Sequence, residues 1–256
     1  MLPELFSVGP LTLHTYGLMV ASGFILGIWL IARLGGKEGI SQDIVYDTAF
    51  WTIIAAIIGA RSVFALTEYQ FFLNHPLEFF KIWRGGMVFY GGFLGAVVAV
   101  YICSKVYKFD LFLLGDIIAP GAALGHAVGR LGCFAAGCCY GIETSVPWAV
   151  IFTKINSMAP TGIPLHPTQV YDSINEFSIF IILIVMQRYK TFKGQIWWAR
   201  VGMYAIGRFI VENYRGDPRG VYFDGLLSTS QIIGIMALLI AIGGYIMNKK
   251  RFGSIV

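Results

Sequence analysis

The stretch His126–Gly141, HAVGRLGCFAAGCCYG, decides how the rest of the chain is read. An apolar helix of small residues leads into it, with Gly121, Gly125 and Gly129 at every fourth position. That spacing puts the glycines on one helix face, where small residues let a neighbouring helix come close inside a membrane. Arg130 is expected at the end of this helix, and three cysteines follow within a few residues. A guanidinium at that depth is costly unless an anionic or polar group meets it. The stretch therefore reads as a membrane helix that brings a cation to an anionic lipid.

Composition supports a lipid setting. Of 256 residues, 57% are apolar and 13% charged, against roughly 25% charged in soluble domains. Mean hydropathy is +0.70. The formal charge of +5 does not point to nucleic acid, because the basic residues sit in short loops where they set membrane orientation. The first residues lack the basic n-region of a cleavable signal peptide. The chain is expected to be a single polytopic all-α membrane domain.

Seven stretches reach the length that crosses roughly 30 Å of hydrocarbon: 13–34, 44–66, 87–106, 111–130, 168–188, 196–214 and 226–248. Between the second and third, 68–84 mixes aromatics with charges and reads as an amphipathic segment in the interface. The region 133–167 is the longest polar-leaning loop, and a loop of that length is usually functional. Lys and Arg divide between two sides. Arg33, Lys37, Lys105, Lys108, Arg188, Lys190, Lys193 and the terminal Lys249, Lys250 and Arg251 fall on one. That side is expected to be cytoplasmic, with the N-terminus periplasmic and the C-terminus cytoplasmic. The outer side then receives Lys81, Arg84, Lys154 and Arg219, together with His14, Tyr16, Tyr90, Arg130, His166 and Arg215.

Arg130 and Arg215 are the first candidates for chemistry. Guanidinium groups bind phosphate through two parallel hydrogen bonds and stay charged at any relevant pH. A lone arginine at a helix end commonly snorkels and does nothing more. Two at one depth, from separate spans, suit a phospholipid headgroup. Tyr16 and Tyr90 belong either to the interfacial aromatic belt or to a site where a phenol bonds phosphate or relays a proton, with Tyr90 expected among the catalytic residues, orienting the thiol or the phosphate. His166, before Pro167, fits a capped helix start as well as a site role. In RFIVENYR, Arg208, Glu212 and Arg215 follow at spacings of four and three, so an Arg–Glu–Arg string runs along one helix face. Glu212 and Arg208 are expected to make the charges tolerable in lipid.

The cysteines are Cys103, Cys133, Cys138 and Cys139. The last three, near His126, lack a C-x-x-C, and adjacent cysteines make a poor pair of tetrahedral ligands. Neither metal nor cofactor is expected. A Cys133–Cys138 disulfide on an oxidising side and buried free thiols acting as small apolar residues stay open, the latter favoured.

Taken in order, HTYGLM, WRGGMVFYGGFLGA, GHAVGRLGCFAAGCCYG, HPTQVYD, FIVENYR and LSTSQIIG resemble the landmarks of the bacterial prolipoprotein diacylglyceryl transferases. The resemblance spreads over nearly the whole chain. It implies a cytoplasmic (inner) membrane enzyme that moves the diacylglyceryl group of phosphatidylglycerol onto the lipobox cysteine of a prolipoprotein signal peptide. A thioether forms and glycerol phosphate leaves. It carries the family's signature arginine onto Arg130, its second essential arginine onto Arg215, its motif-closing glycine onto Gly141 and its early tyrosine onto Tyr16. The chain departs from that pattern at four positions. Tyr90 stands where the best-known members have a histidine. Cys133, Ala136 and Cys138 stand where the signature has two asparagines and a glutamate. Other readings are a paralogue with another acceptor, a lipid carrier or scramblase without chemistry, and a small-solute transporter. The last is disfavoured because the charged residues gather at one face rather than the midplane.

Overall fold

The computed structural model describes residues 4–8, 11–82, 85–154, 157–217, 221–222 and 227–253. Among these, the helices are α1 Thr15–Lys37, α2 Gln42–Thr67, α3 Tyr69–Asn74, α4 Phe89–Val106, α5 Leu111–Ala136, α6 Thr168–Gln187, α7 Gln195–Glu212 and α8 Thr229–Phe252. Three short antiparallel hairpins accompany them: β1 Glu4–Val8 with β2 Leu11–His14, β3 Val150–Ile151 with β4 Pro164–Leu165, and β5 Val221–Tyr222 with β6 Leu227–Ser228. The chain is an all-α membrane protein.

Six helices, all but α3 and α7, are long and apolar enough to cross a membrane. The expected span 196–214 is the helix α7, whose 18 residues include Arg200, Arg208 and Glu212. These charges face protein: Arg208 and Glu212 are buried, and Arg200 is engaged by a buried glutamate. The expected interfacial helix over 68–84 is instead α3 followed by a 3-10 turn, Pro76–Phe80. Pro76 has no N–H to continue α3, which divides the segment. Of the outer-side residues, Arg84 and Arg219 lie outside the described residues.

The chain forms two compact units, Met1–Ile31 with Gly115–Val256, and Ala32–Leu114. In the first, α1 and α5 touch backbone to backbone. A Cβ on Gly23 would stand 2.6 Å from Gly125 O, and one on Gly27 would stand 2.9 Å from Gly121 O. Two rungs of the glycine ladder are thus filled by the partner helix, while the third, Gly129, has open space around it. Ala119 and Ala123 of α5, Ile179 and Leu183 of α6 and Ile196 of α7 form the core. Fully buried Asp116 accepts N–H bonds from Gly194, Ile196 and Trp197 at 2.8, 2.8 and 3.0 Å. It thereby satisfies the otherwise unpaired donors at the start of α7.

In the second unit α2 packs on α4. Gly59 meets Gly91, and Gly95 meets Ala55 O, so close that a Cβ has no room. Arg61 of α2 is buried and donates to Phe79 O at 2.9 Å, to Gly85 O at 2.6 Å, to Gly86 O at 2.9 Å and to Glu78 O. Its guanidinium lies over Phe64 and Phe72, at 5.4 and 5.3 Å from the ring centres.

One boundary correction matters for the site. α5 runs to Ala136 instead of ending at Arg130. LGCFAA contains no breaker beyond one glycine, and the helix stops only at Gly137, whose φ of +77° is left-handed. Arg130 and Cys133 therefore project from the last turns of a continuous helix. The 137–167 region beyond it is folded around its own apolar cluster of Phe152, Ala159 and Leu165.

Candidate active site

Two rungs join α5 to α6. His126 and Arg130 are one turn apart on α5, and Asp172 and Glu176 are one turn apart on α6, so both pairs face the same way. His126 Nδ1 lies 3.2 Å from Glu176 Oε1, and Arg130 Nε lies 3.4 Å from Asp172 Oδ2. Arg130 Nε also donates to His126 Nε2 at 3.2 Å. A guanidinium only donates, so Nε2 is the acceptor in that bond. From α7, Arg200 Nη2 reaches Glu176 Oε2 at 2.8 Å.

Arg215 completes the upper rung from just beyond α7. Its Nη1 lies 3.8 Å from Asp172 Oδ2, the same oxygen that Arg130 approaches. One carboxylate oxygen thus stands between two guanidiniums from distant parts of the chain. Both distances exceed those of a formed hydrogen bond, and Asp172 Oδ2 and Arg215 Nη1 are buried without a hydrogen-bond partner. The charges are balanced, yet the donor capacity is not spent.

The rest of Arg215 is held firmly. Nε and Nη2 form a two-pronged pair with Asp217, both bonds 2.8 Å, and the side chain is 2% exposed. Burial works to lower its pKa, but Asp217 and the Cys139 thiol beside it hold the value above the ordinary arginine range. Arg208 pairs with Glu212, which accepts from Ser228 Oγ at 2.8 Å and lies 4.0 Å from Arg215 Nε. The Arg–Glu–Arg string therefore exists, tied to the start of α8.

The segment 140–142 threads between two neighbours. Gly141 N donates to His166 O at 3.0 Å, Ile142 N to Tyr214 O at 2.9 Å, and Gly216 N to Tyr140 O at 3.0 Å. A Cβ on Gly141 would stand 2.5 Å from His166 O and 2.7 Å from Tyr214 O. Gly141 thus lets three backbones meet at Arg215. The His166 ring packs against Tyr171 and Tyr214, with Nδ1 3.0 Å from Tyr171 OH. This places it in an aromatic cluster that braces the same crossing.

Tyr16 opens α1 against α5: a Cβ on Gly132 would stand 3.3 Å from Tyr16 Cα. Its phenol is within electrostatic range of Arg130 and of Cys133, Cys138 and Cys139. His14 is exposed at the end of β2. Tyr90 belongs to the other unit, exposed in the first turn of α4 edge-on to Phe89.

All four cysteines are free thiols, which removes the Cys133–Cys138 disulfide reading. The sulfurs of Cys133, Cys138 and Cys139 lie within 4.8 Å of one another. Cys139 has a φ of +61°, and this left-handed step lets adjacent thiols turn to one point. The geometric ground for expecting neighbouring cysteines to be poor co-ligands is therefore gone.

Sequence reasoning passed over Asp172, Glu176 and Arg200. The signal was present: two acids four apart in an apolar span are expensive unless cations face them.

A family model described as prolipoprotein diacylglyceryl transferase matches residues 3–247. The phosphatidylglycerol–prolipoprotein diacylglyceryl transferase 2 of Clostridium perfringens is 36% identical over 241 residues, covering 94% of this chain and 93% of the relative. The phosphatidylglycerol–prolipoprotein diacylglyceryl transferase of Clostridium tetani is 36% identical over 252 residues, covering 98% and 99%. That of Geobacter sulfurreducens is 34% identical over 254 residues, covering 97% and 96%.

Proposed function

Since this chain belongs to the prolipoprotein diacylglyceryl transferase family, we propose that it transfers the diacylglyceryl group of phosphatidylglycerol to the lipobox cysteine of lipoprotein precursors. It does so from the outer leaflet of a bacterial cytoplasmic membrane, with the N-terminus periplasmic and the C-terminus cytoplasmic. The observation that carries this reading is the meeting of Arg130 and Arg215 at one oxygen of Asp172.

The acceptor sulfur attacks the glyceryl carbon that bears the phosphate ester. An S–C bond forms, the C–O bond breaks, and its electron pair leaves with glycerol phosphate. Negative charge grows on the departing phosphate, where fixed guanidiniums act most strongly. Arg130 and Arg215 are the groups placed to receive it. Asp172 holds the two cations together without occupying their donors at hydrogen-bonding distance. Glu212 and Arg208 support Arg215 from behind, and Tyr16 borders the phosphate. Gly141 and His166 shape the backbone crossing that carries Arg215, while His14 belongs to the approach of the lipid.

The test uses phosphatidylglycerol labelled in the diacylglyceryl group with a lipobox peptide. Label is expected on the peptide cysteine, with glycerol phosphate released in equal amount. Label on a different acceptor would indicate a paralogue. Lipid binding without glycerol phosphate release would indicate a carrier and overturn the assignment.

A further inference from the structure

The transfer needs a thiolate, and a free cysteine with a pKa near 8.5 supplies only a small fraction of one at neutral pH. The groups described at the phosphate site are cations, their carboxylate partners, His126 and the Tyr16 phenol. Beside them lies a cluster that the phosphate chemistry leaves unused: the three thiols of Cys133, Cys138 and Cys139.

We propose that Cys133, Cys138 and Cys139 bind a zinc ion as three thiolates, and that its fourth position receives the acceptor cysteine as a thiolate. The inference rests on the transferase reading above. It replaces the expectation that the cysteines only fill space.

Geometry, support and charge each carry part of the argument. Tetrahedral Zn–S bonds of about 2.3 Å put sulfurs about 3.8 Å apart. The three Sγ atoms already lie within 4.8 Å of one another, so side-chain shifts of up to about an ångström close the set. The loop is fixed from behind by fully buried residues at the start of α6. Thr168 Oγ1 donates to Cys139 O at 2.7 Å, and Gln169 Nε2 donates to Cys138 O at 2.8 Å. Anchored ligand backbones of this kind are how proteins hold a metal site in shape. A zinc ion with four thiolates carries two negative charges. Arg130 lies within electrostatic range of Cys133 and Cys139, and Arg215 lies against Cys139, so two guanidiniums offset part of that charge.

The chemistry balances without an oxidant. The acceptor thiol loses its proton to water as its sulfur binds the ion, since a coordinating thiol is deprotonated outright. A sulfur lone pair then forms the S–C bond, the C–O bond breaks, and the pair departs on glycerol phosphate. The product thioether is a far weaker ligand for zinc than a thiolate, so it leaves and the position reopens.

The full-length protein, purified in detergent without reducing agent or chelator, is expected to contain zinc in proportion to chain. After chelation, cobalt(II) is expected to give the absorption of thiolate-to-metal charge transfer. Cys138→Ser should lose most of that intensity. Cys103→Ser, at a buried position in α4 outside the cluster, should keep it. A lipobox peptide should change the cobalt spectrum, and the same peptide with serine for cysteine should not. Wild-type protein that gives no charge-transfer band, or whose three thiols include a disulfide as isolated, overturns the site. Identical spectra with both peptides overturn the activating role. Full transfer activity in chelated, metal-free protein overturns the zinc step and leaves the transferase assignment standing. Absence of transfer in zinc-loaded protein counts against the transferase reading, while the cobalt spectrum still reports on the site.

Discussion

Arg61 and Arg130 are both guanidiniums set in apolar helices, and the chain treats them in opposite ways. Arg61 is surrounded by neutral acceptors: four backbone carbonyls take its protons and two aromatic rings cover its faces. Arg130 meets a histidine at hydrogen-bonding distance and a carboxylate beyond it, and Arg215 shares that carboxylate. Arg61, with four of its five N–H donors spent on backbone carbonyls, is a structural pin. A cation whose charge is balanced but whose donors are not keeps hydrogen bonds to offer, as Arg215 Nη1 does. Burial alone does not separate the two cases, whereas the count of satisfied donors does.

The largest expected effect breaks the comparison on the active side. Arg130→Ala should lower diacylglyceryl transfer by about a thousandfold, the upper range for removing one preorganised charge-stabilising donor. Its melting temperature should stay close to wild type, because a charge at Asp172 is still met by Arg215. Unchanged turnover would remove Arg130 from the phosphate site.

Arg61→Met should do the reverse. It strands four carbonyls that one side chain had satisfied, and a loss of roughly 3 kcal/mol of stability is expected. Thermal unfolding in detergent reads that loss, while turnover per folded molecule stays near wild type. A variant that melts normally but fails to transfer would make Arg61 part of the site and dissolve the distinction.

How much of this was legible beforehand differs by residue. The glycine ladder was, because close helix approach in lipid has a compositional signature, and Gly23 and Gly27 answer Gly125 and Gly121 directly. The Arg130 and Arg215 pair was, because charge in an apolar sequence is conspicuous. The Arg61 arrangement was not, since its partners are backbone carbonyls and every residue has one. Asp172 and Glu176 were readable by spacing, but only with the sign and position of α5 in hand does the ladder emerge. The convergence of the cysteines was not readable at all. It depends on a left-handed φ at Cys139, which a non-glycine residue rarely adopts.

Gly141→Ala sharpens the comparison from the backbone side. The added Cβ collides with His166 O and Tyr214 O, both of them rigid main-chain atoms. Segment 140–142 must shift, at a cost of about 1–3 kcal/mol for an overpacked site. Arg215 is tied to that segment through the Gly216–Tyr140 bond. Transfer should fall about tenfold to a hundredfold, with the loss in kcat exceeding any rise in KM. A change in melting temperature with full activity would show that the crossing is scaffolding only.

The smallest effect is reserved for Tyr90. If the cations, with or without a metal, supply the driving field, the phenol contributes at most one hydrogen bond to the lipid or the acceptor. Tyr90→Phe should then cost about fivefold, the worth of a net hydrogen bond near 1 kcal/mol. Measured across pH, the variant should keep the wild-type profile and change only its height. Abolished transfer, or a profile displaced along the pH axis, would give Tyr90 a proton-handling role and move the decisive chemistry away from the arginines.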